Sequence, residues 1–346
     1  MQNRVEWKSI YHSKTKGLRM EKKWWNGVVF EQDIYLAKES EARARMKIAE
    51  KAKQIGFLRF GGEFLFMKSN DVQDLEKQEE LAREIFKQHE NLFDETYFSI
   101  HCPWIPTDST SIETSLEALQ TLEKLLSFAP DLVSVINLHF GIVPLDRKSV
   151  FDSFEKKKEV LETLGGVLND LNHNDQRICV ETILMPSDLP DSFFYSGMLP
   201  SDFKFLTKNK NVGVTIDTCH AGISQENCRE MLQKNALCEG LEKKDLDEVN
   251  ALAKDPIEAY LSLGNKIWHV HYSDYKNRPG QKPLHGPPFP DGERNENDLW
   301  KDLERIRKAT DKKKLGATLE IVETDYLTCS NMWQSLQWIA RQGGSK

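Results

Sequence analysis

Eight short runs rich in β-branched and aromatic residues recur along the chain, each separated from the next by a segment of helical periodicity. They lie near 27–33 (GVVFEQD), 56–61 (GFLRFG), 97–102 (YFSIHC), 132–139 (LVSVINLH), 177–183 (RICVETI), 212–218 (VGVTIDT), 266–273 (KIWHVHYS) and 316–323 (GATLEIVE). Their starts are about 30 to 55 residues apart, which leaves room for the helical crossover that joins parallel strands. The intervening SEARARMKIAEKAKQIG, DVQDLEKQEELAREIFKQ and SIETSLEALQTLEKLLSF carry apolar residues three and four apart, and Thr110 with Glu113 forms a capping box before the third. Strand and helix alternating eight times predict an α/β protein with a single closed (β/α)8 barrel; an open doubly wound sheet is the alternative.

No Gly/Ser- or Pro-rich linker and no internal repeat divides the chain. The reading is therefore an N-terminal extension over 1–25 followed by one barrel over 26–346. A helical insertion at about 221–265 either covers the barrel mouth or lies at its periphery. Composition removes other classes. At 39% hydrophobic residues, with 19 Gly and 13 Pro in 346, the chain is neither collagen-like nor wholly disordered. No stretch approaches the roughly 18 apolar residues of a membrane span, and the polar start has no apolar signal core, so a soluble cytoplasmic protein is expected. Six dispersed cysteines read as reduced thiols rather than a disulfide framework. A net charge of −7 argues against a protein that coats nucleic acid, and the KKK runs at 156–158 and 312–314 read as solvated helix faces.

Six of the nine histidines, at 101, 139, 220, 269, 271 and 285, fall at or just beyond predicted strand ends, which in a parallel barrel converge on one mouth. Glu181, Asp217 and Glu320 occupy the same kind of position. A lone strand-end histidine is more often a hydrogen-bonded structural residue than a ligand. Glu181 and Glu320 say more, because each interrupts an apolar strand and a buried carboxylate without a cation is costly. Asp217 and His220 share one strand-to-helix turn, and His269 and His271 alternate on a strand and so face one side. Together these residues predict a metal centre. Imidazole with carboxylate and no matching thiolate suits Zn, Mn, Fe or Co, since Cys219 is expected to pack and Cys102 has only a minor claim to chemistry.

These motifs resemble the xylose isomerase-like TIM-barrel superfamily, and within it the endonuclease IV family of apurinic/apyrimidinic endonucleases. SIHCPW is similar to that family's His-x-Pro strand end, NLHFG to its Leu-His-Pro-Gly, VETI to its Glu-Asn/Thr strand, and TIDTCHAG to its Asp-Thr-Cys-His signature. HVHYSDYKN and LEIVET resemble its last two motifs, and the order holds through 97–323. The resemblance implies that His101 and His139 bind a first metal, that Glu181 bridges, that Asp217, His271 and Glu320 bind a second, and that His220 and His285 hold a third. Pro283 stands where the family has an Asp two residues before His285, so two ions are implied more firmly than three. RFGGEFLF and HVHYS look instead like UV-damage endonucleases, with His269 where those carry lysine. Sugar isomerases and epimerases of the same superfamily keep a single-metal set equivalent to Glu181, Asp217, His271 and Glu320, and HGPPFPDGERNENDLW at 285–300 loosely resembles one of their stretches.

Two chemistries follow. The first is phosphodiester hydrolysis in damaged DNA by a Glu181-bridged Zn or Mn centre, with catalytic Glu181, Glu320 and His220, and with Trp104, Trp268, His269 and Phe289 contacting substrate. The alternative is isomerisation or epimerisation of a sugar or sugar phosphate at one ion, with Glu181 and Glu320 as the acid/base pair. A barrel kept only as a metal-dependent binding module is a third, non-enzymatic reading. No membrane partner is expected, and the oligomeric state is not legible.

Overall fold

A computed structural model describes residues 27–103, 116–139, 142–143, 154–171, 177–185, 194–195, 197–237, 241–310 and 314–342. Eight parallel strands close into a barrel: β1 (Val28–Tyr35), β2 (Phe60–Leu65), β3 (Phe98–His101), β4 (Val135–Leu138), β5 (Arg177–Glu181), β6 (Val212–Asp217), β7 (Ile267–His271) and β8 (Leu315–Leu319). Each pairs with its chain neighbours, and β1 closes the circle on β8 with Val28 opposite Leu315. No helix among the described residues is long and apolar enough to cross a membrane. The extension over 1–25 and the Thr110–Glu113 capping box lie outside the described residues.

The alternation along each strand explains why the barrel holds its chemistry inside. On β6, Val212, Val214 and Ile216 point out into the main apolar core, while Thr215 and Asp217 point in. On β8, Leu315, Ala317 and Leu319 join that core while Thr318 faces the interior. The helices cover the outer faces. In α2 (Leu75–Leu92) the buried set Gln78, Leu81, Ala82, Ile85 and His89 traces one stripe at three- and four-residue spacing. The lower end of the barrel is plugged by Tyr97, Val135, Cys179 and Trp268.

The sequence places β2 at 56–61, but it runs Phe60–Leu65. The Gly-Gly pair is not a strand end. A Cβ on Gly61 would overlap the Tyr97 carbonyl oxygen, so glycine is what lets β2 lie close against the segment entering β3. The shift puts Glu63 inside the barrel, fully buried.

The described residues of the insertion lie at the barrel's periphery. Helix α6 (Thr218–Lys234) is the crossover after β6; α7 (Leu246–Lys254) and α8 (Pro256–Leu261) pack on it, and α8 also on α9 (Glu296–Ala309), in the outer layer. The first KKK run also departs from expectation. Lys157 is buried and paired to Asp202 at 2.6 Å, tying α4 (Phe154–Leu171) to α5 (Pro200–Leu206).

Candidate metal centre

The strand ends bring eight of the predicted residues to one mouth. Glu181, at the end of β5 and fully buried, sits at the middle. Its Oε2 lies 2.8 Å from His139 Nε2, 3.5 Å from His101 Nε2 and 3.0 Å from His271 Nδ1, and its Oε1 lies 3.1 Å from His220 Nδ1. His271 Nδ1 is also 3.1 Å from Glu320 Oε1. His285, on a short ribbon of Tyr275–Lys276 with Leu284–His285, brings Nε2 to 3.3 Å from Asp217 Oδ2 and 3.4 Å from Glu320 Oε2. Asp217 ends β6 and caps α6 by accepting the His220 backbone N–H at 2.9 Å, so the turn that starts the helix also fixes two site residues. His101 is oriented from behind, with Nδ1 2.8 Å from the Cys102 carbonyl, whereas His220 turns one nitrogen, Nδ1, both to Glu181 and to the Thr182 carbonyl at 2.8 Å.

Among the described residues five sets have donor atoms mutually within 4.8 Å: His101, His139 and Glu181; His101, His271 and Glu320; Glu181, Asp217, His271 and Glu320; Asp217, His220 and His285; and, below these, Glu63, His269 and His271. Both Glu181 oxygens, His139 Nε2 and His271 Nδ1 are buried and receive no hydrogen bond. Lone pairs converging in this way need a shared proton or a shared cation, because an unpaired buried carboxylate is unfavourable. Nitrogen and carboxylate donors in these numbers fit a divalent ion such as Zn or Mn. The thiols do not compete: burial pushes Cys102 up, and burial with Asp217 nearby pushes Cys219 well above the thiol range.

The charges are strongly interdependent. Burial would raise Glu181, but His139 and His271 hold it well below the carboxylate range. Burial pushes Glu320 well above it, with His271 opposing and Asp217 and Glu181 adding to the rise. Burial would lower His220, yet Asp217 and Glu181 carry it up to about 9. Without a metal the cluster is therefore neutralised by protons, which an incoming cation would release.

A cavity of about 380 Å³ opens over the centre. Its floor includes His101, His139, Glu181, His220, His285 and Glu320, and its walls include Met67, Ile183, Leu184, Val322 and Tyr326 with Asp33 among them. Three residues expected to contact substrate are elsewhere. His269 is fully buried below the centre, with Nε2 2.9 Å from Thr318 Oγ1. A bulge between β6 and β7 turns Trp268 into the barrel's lower end, where it packs on Gly213 at a distance no Cβ could tolerate, and Arg177 lies over its ring. Phe289 is fully buried on the barrel's outside, between Tyr272 and Trp338. Apolar burial outweighed the mouth reading for Trp268 and Phe289, while His269 is held among the polar groups of the barrel interior. Trp104 lies outside the described residues.

Sequence reasoning also missed Glu31 and Glu63, both fully buried within the barrel. The signal was present: each interrupts an apolar strand, the criterion that singled out Glu181 and Glu320.

The family model for the xylose isomerase-like TIM barrel matches residues 49–325. The chain belongs to this family. Among solved structures it is similar to a D-tagatose 3-epimerase-like protein (14% identity, TM-score 0.53, covering 91% of this chain and 100% of that one). It is also similar to an L-ribulose 3-epimerase (12%, 0.55, 91% and 94%) and to a D-allulose 3-epimerase from Methylomonas sp. in complex with D-allulose (13%, 0.51, 91% and 99%). At these identities the likeness is one of fold. No protein of curated function matches the chain in sequence.

Proposed function

We propose that this xylose isomerase-like barrel is a divalent-metal-dependent isomerase or epimerase of a small sugar. The observation that carries the reading is the pair Glu181 and Glu320, which approach the same nitrogen, His271 Nδ1, at 3.0 and 3.1 Å with Asp217 completing the set beneath the cavity. Two carboxylates that flank one point can act on opposite faces of a substrate held between them. A divalent ion held by Glu181, Asp217, His271 and Glu320 would supply electrophilic polarisation of adjacent carbonyl and hydroxyl oxygens. Glu181 takes the proton from the carbon beside the carbonyl, and that C–H electron pair moves into the carbonyl to give an enediolate. Glu320 returns a proton to the opposite face, so no oxidant or second substrate is needed. The apolar walls exclude water from the carbanionic stage. Solved structures of similar fold named as ketose 3-epimerases support the choice of a free ketose as first substrate to test.

A second reading keeps a specific observation. His101 and His139 approach Glu181 at 3.5 and 2.8 Å, a set that a one-ion sugar enzyme does not require and that a Glu181-bridged phosphodiesterase of the endonuclease IV kind does.

The direct test is incubation of manganese-loaded protein with a panel of ketoses in D2O, read by proton NMR, beside an abasic-site duplex read on a gel. Deuterium entering C3 of a ketose with formation of its epimer is the expected result. Strand incision with no exchange into any sugar would replace the first reading by the second.

A further inference from the structure

Resting on that metal-centre reading, we infer that Glu63 is the positioning residue of the site: it holds the His271 ring from the side away from the ion, so that Nδ1 alone is presented for coordination. His271 faces two ways. Its Nδ1 lies between Glu181 and Glu320, while its Nε2 is 3.3 Å from Glu63 Oε2 and 3.4 Å from Oε1. A ring nitrogen bonded to a carboxylate behind it keeps its proton there, which fixes the tautomer and makes the opposite nitrogen the donor.

Glu63 is itself fixed directly from two other strands, one of them braced by a third. Its Oε1 accepts from Asn137 Nδ2 on β4 at 2.5 Å and from Ser99 Oγ on β3 at 3.1 Å, and Thr215 on β6 hydrogen-bonds Asn137 in turn. All of these residues are fully buried. The barrel interior below the cavity is thus filled by a polar network where apolar layers are usual, and its one contact with the proposed coordinating set runs through Glu63 and His271 among the described residues' hydrogen bonds. Glu31 belongs to the same network, accepting from Ser99 Oγ at 2.9 Å and Thr318 Oγ1 at 2.8 Å, but has no hydrogen bond to His271.

The test compares Mn2+ affinity of the full-length wild type, Glu63→Gln and Glu31→Gln by competition with a fluorescent chelator, with the metal-free melting temperature of each. Glu63→Gln should bind about 10- to 100-fold more weakly, the usual effect of losing such a carboxylate, while Glu31→Gln stays within about 3-fold of wild type. Equal affinity of Glu63→Gln and wild type would overturn the inference and leave the metal centre standing, whereas a wild type that binds no divalent ion would remove both. Should Glu63→Gln fail to fold, 15N spectra of Zn-loaded wild type decide the matter. A protected Nε2–H on His271 with a metal-shifted Nδ1 supports the inference, and coordination through Nε2 overturns it.

Discussion

Glu181→Gln is expected to lower turnover by about 10^3-fold or more and to leave the purified protein without stoichiometric metal, because one substitution removes both a proton acceptor and the central ligand. The amide keeps the volume, so packing at this fully buried position is little changed. It cannot keep the charge toward which four imidazoles converge at 2.8 to 3.5 Å. Metal content by plasma mass spectrometry and initial rates on the same preparation check this. A variant with wild-type metal content and more than about a tenth of the activity, where loss of acid/base catalysis alone costs at least a hundredfold, would contradict the role.

The largest effect on stability is expected from Arg45→Ala. Arg45, on α1 (Glu39–Gln54), is buried with Nη2 2.8 Å from Asp33 Oδ1 and Nη1 3.2 Å from Glu323 Oε1. Glu323 also accepts the Asn331 and Met332 backbone N–H groups at 2.9 and 2.8 Å, which starts α10 (Ser330–Gln342). Truncation leaves two buried carboxylates without their cation, at a cost of about 3–5 kcal/mol in urea unfolding. The deficit should depend on pH. Burial lifts Asp33 to about 6 even with Arg45 opposing it, so its folded value lies above the ordinary 3.8. A group raised in this way contributes stability below its unfolded value and loses it as pH rises through the folded value. Without Arg45 the ionised form is worse still, and the deficit should be larger at pH 7.5 than at pH 5. A loss under about 1 kcal/mol, unchanged with pH, would mean the pair behaves as an exposed one.

The barrel was legible because parallel strands buried on both sides leave long apolar runs at crossover spacing, and seven of the eight strands fall where those runs stand. The eighth was placed at 56–61 and runs past Gly61, whose glycine is required by the Tyr97 backbone across the sheet, a contact no linear pattern carries. The convergence of His101, His139, Glu181, Asp217, His220, His271, His285 and Glu320 was legible for a topological reason: in a closed parallel barrel every strand end reaches the same rim. Trp268, Phe289 and His269 were misplaced because facing, not position along the strand, decides who meets the cavity. A bulge moved Trp268 and depth removed His269. Glu63 was missed through the strand displacement, and with it the residue on which His271 rests.

The central claim is that one divalent ion sits among Glu181, Asp217, His271 and Glu320. Anomalous diffraction from crystals of the full-length protein grown with Mn2+, measured on both sides of the manganese edge, tests it without reference to any substrate. The strongest manganese peak is expected about 2.0–2.3 Å from oxygens of those three carboxylates and from His271 Nδ1, within the range of such ligand bonds. A manganese-replete crystal with no peak among these four residues would contradict it.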